Sequence, residues 1–193
     1  MKTQLPTTRD KILSTAERLI YQQGIQATSL DALVKVSGVA RKSIYHHFTN
    51  KDDIAIAVLD ARDDRWMHWF CEETEKAATP HARLIEMFNV LASWFASPEF
   101  YGCAFINTAC EIGDAEAPVR AICKRHKQRL LSYVQHLCEQ AGCAEPEPLA
   151  RQLLILIDGA ITVARVTGDI HAAESAKSVA LALLQPANVS TTP

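Results

Sequence analysis

Residues 28–51 read TSLDALVKVSGVARKSIYHHFTNK, and this stretch predicts two short helices joined by a tight turn. Leu30, Leu33 and Val34 stand at i, i+3 and i+4, so one face of the first helix is apolar. A Ser and a Thr just before them offer the oxygen that caps a helix N-terminus. Gly38 suits the positive φ of a turn and ends this helix. The stretch therefore predicts a helix-turn-helix pair.

The second helix, predicted from about Ala40 to Phe48, has an apolar face and a basic face. At about 100° per residue, Ile44 and Phe48 project together, whereas Lys42 and His46 project to the other side. Cationic side chains, hydroxyls and imidazoles can donate hydrogen bonds to phosphates and to guanine acceptors in a major groove. The alternative is an ordinary amphipathic hairpin whose polar face is only solvated.

The pattern extends beyond these two helices, from Thr8 to Leu59. Its residues are Arg9, Ile12, Leu13, Ala16, Leu19, Ile20, Gly24, Thr28, Ser29, Leu30, Gly38, Val39, Ser43, Ile44, Tyr45, His47, Phe48 and Lys51. Over this span the chain resembles the N-terminal DNA-binding domain of the TetR/AcrR family of transcriptional regulators. The resemblance implies a helix-turn-helix head on a helical body.

Three positions depart from that family pattern. Ala40 stands where a capping Ser is usual, Lys42 where Gly is frequent, and Tyr21 where Phe is common. The missing cap costs about 1 kcal/mol of helix stability. Lys42 adds a charge to the groove-facing side, which changes the expected base preference but not the class of protein.

The polar face and the resemblance together predict a set of DNA contacts. The residues are Thr28, Ser29, Arg41, Lys42, Ser43, Tyr45, His46, His47 and Lys51. The adjacent His46 and His47 lie about 100° apart on their helix, so we interpret them as DNA contacts rather than as a pair of metal ligands.

Charge is divided unevenly along the chain. The formal net charge is −2, but residues 1–51 hold eight Lys/Arg and three Asp/Glu, which is +5, and the remainder carries −7. A basic head can meet phosphate while an acidic body is repelled by it. We expect two domains, a DNA-binding domain at 1–51 and a helical effector-binding and dimerisation domain at 52–193.

Helical patterns punctuated by Gly, Pro and capping residues run through the whole chain, and no alternating run typical of a strand interrupts them. We expect an all-α protein with about nine helices, a polar arm at residues 1–6 and a frayed tail after Leu184. Body helices are predicted at about 51–77, 80–96, 103–112, 118–141, 149–167 and 171–184.

Composition indicates a cytoplasmic protein without membrane, metal or cofactor. No run approaches 18 uninterrupted apolar residues, and no signal peptide is recognisable. The six cysteines are interpreted as reduced, mostly buried thiols, because a chain of this size needs no disulfides to fold. Cys123 and His126 stand at i and i+3, but two ligands are too few for a zinc site.

The stretch from Leu153 to Val166 is apolar or Ala at ten of fourteen positions, which is wider than a single helical stripe. We expect it to be buried both in its own domain and against a second copy, and the resemblance implies a four-helix interface built by the last two helices. The predicted interface residues are Leu153, Leu156, Ile157, Ala160, Val163, Ala164, Ala180 and Leu183. A wholly internal helix is the alternative.

Residues 101–111, YGCAFINTACE, place Cys103, Asn107, Cys110 and Glu111 on one helical face. The pattern resembles a subset of TetR/AcrR regulators in which this helix lies between the ligand cavity and the DNA-binding domain. For Asn107 and Glu111 the alternative is a structural role at a helix end or at the domain junction.

Aromatic side chains are concentrated on the first three body helices, and a pocket lined by several of them suits a small, mostly apolar or aromatic effector. The predicted effector-binding residues are Trp66, Trp69, Phe70, Phe88, Trp94, Phe105, Asn107 and Glu111.

These observations predict a homodimeric repressor that binds double-stranded operator DNA and is released by a small effector. No catalytic constellation is found, so a helical-bundle enzyme is disfavoured. A thiol sensor that uses Cys103 or Cys110 is the second alternative. An acidic neighbour, apolar surroundings and the helix C-terminus disfavour thiolates there, so effector binding is preferred.

Overall fold

The computed structural model describes residues 6–185, which form nine α-helices and no strand. The helices are α1 Thr8–Gln23, α2 Leu30–Ser37, α3 Arg41–His47, α4 Lys51–Glu75, α5 Pro80–Phe95, α6 Ala104–Glu111, α7 Pro118–Gln140, α8 Pro146–Thr167 and α9 Ala172–Leu184. The predicted all-α class is confirmed. All but one residue of the predicted arm, and all but one residue of the predicted tail, lie outside the described residues. No helix in the described part of the chain is both long and apolar enough to cross a membrane.

Local capping chemistry sets the limits of the first two helices. At the start of α1, Thr7 Oγ1 accepts from Asp10 N at 3.2 Å and Asp10 Oδ2 accepts from Thr7 N at 2.9 Å, a reciprocal capping box. Ser29 Oγ caps α2 by accepting from Ala32 N at 3.0 Å. Gly38 ends α2 with φ +68°, a left-handed conformation that side chains rarely adopt.

The third helix has no side-chain cap, because Ala40 occupies the N-cap position. Instead α3 is held by its apolar face, since Ile44 and Phe48 are buried. They join a core to which α1 and α2 contribute Ile12, Ala16, Leu19, Ile20 and Leu33. Burial of two large side chains contributes several kcal/mol at about 1.5–3 kcal/mol each, which outweighs one missing cap.

The described residues form two compact units. The first unit comprises the chain up to Trp66 together with Cys103–Lys127, and the second comprises Met67–Gly102 together with the residues from Gln128 onward. The first unit therefore contains α1–α3, the first part of α4, α6 and the first part of α7. The functional division between residues 1–51 and 52–193 stays a prediction.

The second unit is built on the packing of α8 against α9 and of α9 against α5. The buried side of α9 consists of small residues, Ala172, Ala173, Ala176 and Ala180, so the helix axes can approach closely. Lys177 Nζ donates to Asn89 Oδ1 at 2.8 Å and ties α9 to α5. Thr79 caps α5, and Gly168, with φ +75°, ends α8.

Candidate functional site

The α3 helix presents a polar surface above its buried apolar face. Arg41, Lys42, His46 and His47 are exposed, and Tyr45 is 49% exposed. The two imidazoles are 5.2 Å apart between centroids and are set edge to face. Ser43 is half-buried. Six side chains from one short helix thus offer hydrogen-bond donors to a surface that could lie against nucleic acid.

Arg41 forms an ion pair with Asp31 of α2, and both side chains are largely exposed. An exposed pair of this kind contributes about 0–1 kcal/mol. Arg41 can therefore exchange Asp31 for a phosphate at small energetic cost, since a guanidinium binds carboxylates and phosphates alike in a bidentate manner.

Thr28 differs from the other predicted DNA contacts because its side chain is only 3% exposed. Its hydroxyl donates to the Gly24 carbonyl at 2.8 Å and accepts from Gln23 Nε2 at 3.3 Å. Gln23 is the last residue of α1, and Gly24 begins the turn that follows it. The structure therefore places the Thr28 hydroxyl inside that turn, and we withdraw it from the side chains offered to DNA.

Lys51 is also engaged within the protein. It begins α4, and its Nζ donates to the Ile25 carbonyl at 3.0 Å. Ser29, whose hydroxyl caps α2, is exposed beside this turn. A phosphate contact by Lys51 would require the ammonium group to use its remaining donors or to leave the carbonyl.

Glu111, predicted as an effector contact, instead links α6 to the turn between α1 and α2. Its Oε2 accepts from Gln26 N at 2.8 Å. The carboxylate also lies against Gly24, where a Cβ would come within 2.8 Å of Glu111 Cδ. Gly24 has φ +93°, so its lack of a side chain serves both the conformation and this close approach. The alternative structural role considered for Glu111 is thus the contact observed.

A buried Asp63–His126 pair, with the exposed Arg125 beside it, joins α4 to α7, and sequence reasoning missed it. His126 is 2% exposed, and its Nδ1 lies 2.8 Å from Oδ1 of the buried Asp63. Arg125 Nε stands 3.6 Å from Asp63 Oδ2. The Phe105 ring stacks on the imidazole at 3.7 Å, and Trp66 meets it edge-on at 5.3 Å. The sequence signals are Asp63, on the inner side of α4, and the His126 that we considered as a metal ligand.

The eight predicted effector residues are divided between the two units. Trp66, Phe105, Asn107 and Glu111 belong to the first unit, and Trp69, Phe70, Phe88 and Trp94 belong to the second. In the second unit Trp94 contacts Trp69 at 6.3 Å and Phe100 at 5.0 Å between ring centroids. Phe70 and Phe88 are fully buried. Each unit therefore holds only four of the eight predicted effector residues.

The cysteines are free thiols in contrasting environments. Cys103 is buried, and its Sγ caps α6 by accepting from Ile106 N at 3.4 Å. Burial, and then the nearby Cys103, raises the pKa of Cys123 to about 11. Burial also raises the pKa of Cys138 to about 12. Cys110 is exposed. The described residues hold no group of three or more side chains that could bind a metal ion.

The predicted interface residues on α8 and α9 do not share one exposed surface. Leu153, Ile157, Ala160, Ala164 and Ala180 are buried within the chain, Leu156 is half-buried, and Val163 and Leu183 are exposed. The inner side of α8 packs on α5 and α9, and these small and branched side chains fill that contact. Besides Val163, the outer side of α8 carries apolar residues outside the predicted set, above all Ile155 and Val166, which is 78% exposed.

A short basic helix held by two others over a shared core defines a helix-turn-helix DNA-binding protein. Comparison with known proteins gives the family. Residues 12–58 match the family model of bacterial regulatory proteins, tetR family, and residues 80–180 match the tetracyclin repressor-like C-terminal domain. The chain belongs to the TetR family of DNA-binding transcriptional regulators, as its sequence predicts.

Three relatives illustrate the similarity. The HTH-type transcriptional repressor ComR of Escherichia coli is 31% identical over 170 residues, 81% of this chain and 79% of that protein. The HTH-type transcriptional regulator TtgR of Pseudomonas putida is 26% identical over 170 residues, 83% and 81% of the two chains. The crystal structure of SCO4454, a TetR-family regulator from Streptomyces coelicolor, superposes with a TM-score of 0.79 at 27% identity, covering 89% of this chain and 95% of that one.

Proposed function

We propose that this protein is a repressor that binds a palindromic operator as a homodimer and is released from it by a small effector. The observation that carries the proposal is the exposed basic face of α3 above the buried Ile44 and Phe48. Each subunit would place α3 in a major groove, with half-sites one helical turn, ~34 Å, apart. The similarity to a protein described as a repressor supports this direction of regulation.

The proposed DNA contacts are the predicted set without Thr28. They are Ser29, Arg41, Lys42, Ser43, Tyr45, His46, His47 and Lys51. Lys42 and His46 lie on the face opposite Ile44, so we assign them to base edges. Arg41 and Tyr45 lie on the flanks of α3, and Lys51 begins α4. We assign these three to phosphates, which position the helix without reading sequence.

The proposed dimer surface, the α8–α9 outer face, is the exposed apolar side of α8 and α9. On α8 it consists of Ile155, Gly159, Thr162, Val163 and Val166, which recur at i, i+4, i+7, i+8 and i+11. On α9 it adds Val179 and Leu183. A row of exposed large apolar side chains is unusual on a monomer and is typical of a protein interface. Gly159, with open space where a Cβ would stand, permits close approach of a second helix.

For the inducing signal, a small effector is the first candidate and a thiol switch is the second. Cys110 favours the second, because it is the exposed cysteine of α6. Cys103, however, is buried and already accepts a hydrogen bond at the start of α6. Reactive cysteines are usually accessible and electrostatically stabilised as thiolates, whereas the half-buried Cys71 and the buried Cys123 and Cys138 have raised pKa values. We therefore keep effector binding as the proposal.

Selection of DNA from a random duplex library by the full-length protein tests the proposal directly. We expect the selected sequences to converge on an inverted repeat with half-sites one turn apart. The logarithm of the binding constant for that sequence should fall linearly with the logarithm of the salt concentration. The slope then reports the number of phosphates contacted. Failure to enrich any sequence, or affinity independent of salt, would contradict the proposal.

A further inference from the structure

A cavity of about 460 Å³ lies beside α6 and the first turns of α7, entirely within the first unit. Of the predicted effector residues, only Phe105 lines it. We propose that this cavity, the α6–α7 cavity, binds a small amphipathic anion, namely an aromatic or aliphatic carboxylate. The inference deepens the proposed function, because it gives the effector a chemical class and a place.

The walls of the cavity are apolar where α6 faces α7. Phe105, Ile106 and Ala109 come from α6. Ala117 immediately precedes α7, and Ala121 lies in the first turn of that helix. Phe105 is held in place because its ring stacks on the buried His126 at 3.7 Å. The volume lies within the roughly 300–1,000 Å³ of ordinary small-molecule sites. A preformed apolar wall favours a ligand with a hydrocarbon body.

The charge of the lining specifies the other end of the ligand. Arg120, Lys124 and Lys127 line the cavity at i, i+4 and i+7 of α7, so they lie along one face of the helix. Glu116 is the acidic residue in the lining, which leaves an excess of two positive charges. The lining thiol of Cys123 adds no negative charge near neutral pH, because burial raises its pKa to about 11. A carboxylate therefore suits this lining better than an amine.

The apolar walls distinguish a small anion from the phosphate backbone of DNA. Phosphates are bound by exposed cations and backbone amides and gain nothing from Phe105, Ile106 and Ala109. A carboxylate joined to a hydrocarbon uses the cations and the walls together. Among anions, we therefore assign the cavity to a small molecule.

An anion in this cavity would compete for a hydrogen bond that holds α6. Arg120 donates to the Ala109 carbonyl in the last turn of α6. Two residues further along, Glu111 accepts from Gln26 N at 2.8 Å in the turn before α2. A carboxylate is a stronger partner for a guanidinium than a neutral carbonyl is. Binding would draw Arg120 from Ala109 and loosen the turn of α6 that carries Glu111.

Calorimetry on the full-length protein without DNA tests the site. The probes are 2-naphthoate, decanoate and the neutral 2-naphthylmethanol. We expect a carboxylate to bind at least about fivefold more tightly than the alcohol, by analogy with charge-assisted hydrogen bonds, and to bind more weakly as salt is added. Equal affinity for acid and alcohol, or no binding by either carboxylate at millimolar concentration, would overturn the proposal.

Two variants locate the binding, and circular dichroism verifies that each is folded. Ala121→Trp, at an exposed lining position, should fill the cavity and abolish binding. Lys124→Gln should weaken carboxylate binding about threefold to tenfold, whereas Lys76→Gln, which removes an exposed lysine of the second unit, should not change it. Unchanged binding in both cavity variants would place the ligand elsewhere. A selective loss of DNA affinity in Ala121→Trp would show that the surface contacts nucleic acid, which would also overturn the proposal.

Failure of this site and failure of the proposed function give different results. Calorimetry requires no operator, so absence of a carboxylate site is visible even if DNA binding is intact. With the selected operator, 2-naphthoate or decanoate should release wild-type protein but not Ala121→Trp. Carboxylate binding without release would overturn the coupling through Arg120 while the site itself would stand.

Discussion

At the scale of single residues, the proposed DNA contacts on the exposed side of α3 would have different roles in recognition. Lys42 and His46 lie opposite the buried Ile44, so they have the most direct approach to base edges. Arg41 begins the helix and already holds an exchangeable carboxylate partner, Asp31. Although α3 has only seven residues, its outward side chains could contact both base edges and phosphates.

The first prediction concerns base reading. Lys42→Ala should weaken binding to the selected operator by about 1–3 kcal/mol and should relax preference at one base pair in each half-site. Lys76→Ala, an exposed lysine of the second unit, is the control and should leave both unchanged. Affinity is measured by fluorescence anisotropy against the operator and its single-base variants. A uniform loss over all sequences would reassign Lys42 to phosphate.

The second prediction concerns Thr28. Thr28→Val keeps the side-chain shape but removes the hydroxyl that bonds Gly24 O and Gln23 Nε2. Because the Gly24 carbonyl loses its buried donor, the free energy of unfolding should fall by about 1–2 kcal/mol. Urea denaturation measures that change, and operator affinity of the folded protein should stay within a few-fold of wild type. Unaltered stability with a large loss of DNA affinity would return Thr28 to the DNA contacts.

The residue scale also shows how far the sequence can be used. The polarity of α3 follows from helical periodicity, so its exposed and buried sides are predictable from Ile44 and Phe48 alone. Thr28 lies in the irregular turn before α2, where no helical periodicity predicts which way a side chain faces. The family-like Thr-Ser pair therefore predicts two contacts, although Thr28 is a buried donor and only Ser29, which caps α2, is exposed.

At the scale of elements, α6 depends on its two ends. Cys103 caps its N-terminus, and Glu111 at its C-terminus bonds the turn between α1 and α2. The Asp63–His126 pair brings α4 and α7 together beside it. Helix limits are predictable because caps are local in sequence, as at Gly38 and Gly168. The Asp63–His126 pair spans 63 residues, and no local pattern encodes it.

The third prediction tests the Gly24–Glu111 contact as a double-mutant cycle. Gly24→Ala should destabilise the protein by more than about 1 kcal/mol, because φ is +93° and the new Cβ meets the Glu111 carboxylate. Glu111→Ala removes that collision, so the double variant should be more stable than the sum of the single effects predicts, by at least about 0.5 kcal/mol. Thermal or urea unfolding of all four proteins gives the coupling. Strict additivity would show that the two residues do not touch in solution.

The fourth prediction concerns thiol reactivity. Burial holds Cys123 and Cys138 protonated in the folded protein, with pKa values of about 11 and 12 against an ordinary 9.0. Iodoacetamide at pH 8 should therefore modify the exposed Cys110 first and these two last, as followed by peptide mass spectrometry. In denaturant all should react at similar rates. Because the unfolded thiols ionise near pH 9 and the folded ones do not, stability should fall as pH rises from about 9 towards 11 and 12. Rapid modification of native Cys123 would contradict its burial.

At the scale of the whole molecule, the proposed second copy would cover an apolar surface that one chain leaves exposed. Hydropathy predicts that α8 is buried on two sides, and the structure shows which residues face inward. Hydropathy cannot separate the sides, because Leu153 and Ile155 are equally apolar and only the packing of α8 on α5 and α9 distinguishes them. The five inward residues of the predicted interface fill that packing instead. Val163 and Leu183 face outward and form only part of the α8–α9 outer face.

The last prediction separates these two sides by experiment. Val166→Glu places a charge on the α8–α9 outer face, where Val166 is 78% exposed in one chain, so it should yield monomers that keep their helical content. Ala160→Glu buries a charge within the chain, where Ala160 is 5% exposed, so it should unfold the second unit and not merely separate the subunits. Gln152→Glu, at an exposed polar position of α8, is the control. Analytical ultracentrifugation gives the oligomeric state and circular dichroism gives the fold. Since a monomer engages only one half-site at a time, Val166→Glu should bind the operator about 10²-fold or more weakly. A Val166→Glu protein that sediments as an unaltered dimer would move the interface away from the outer side of α8.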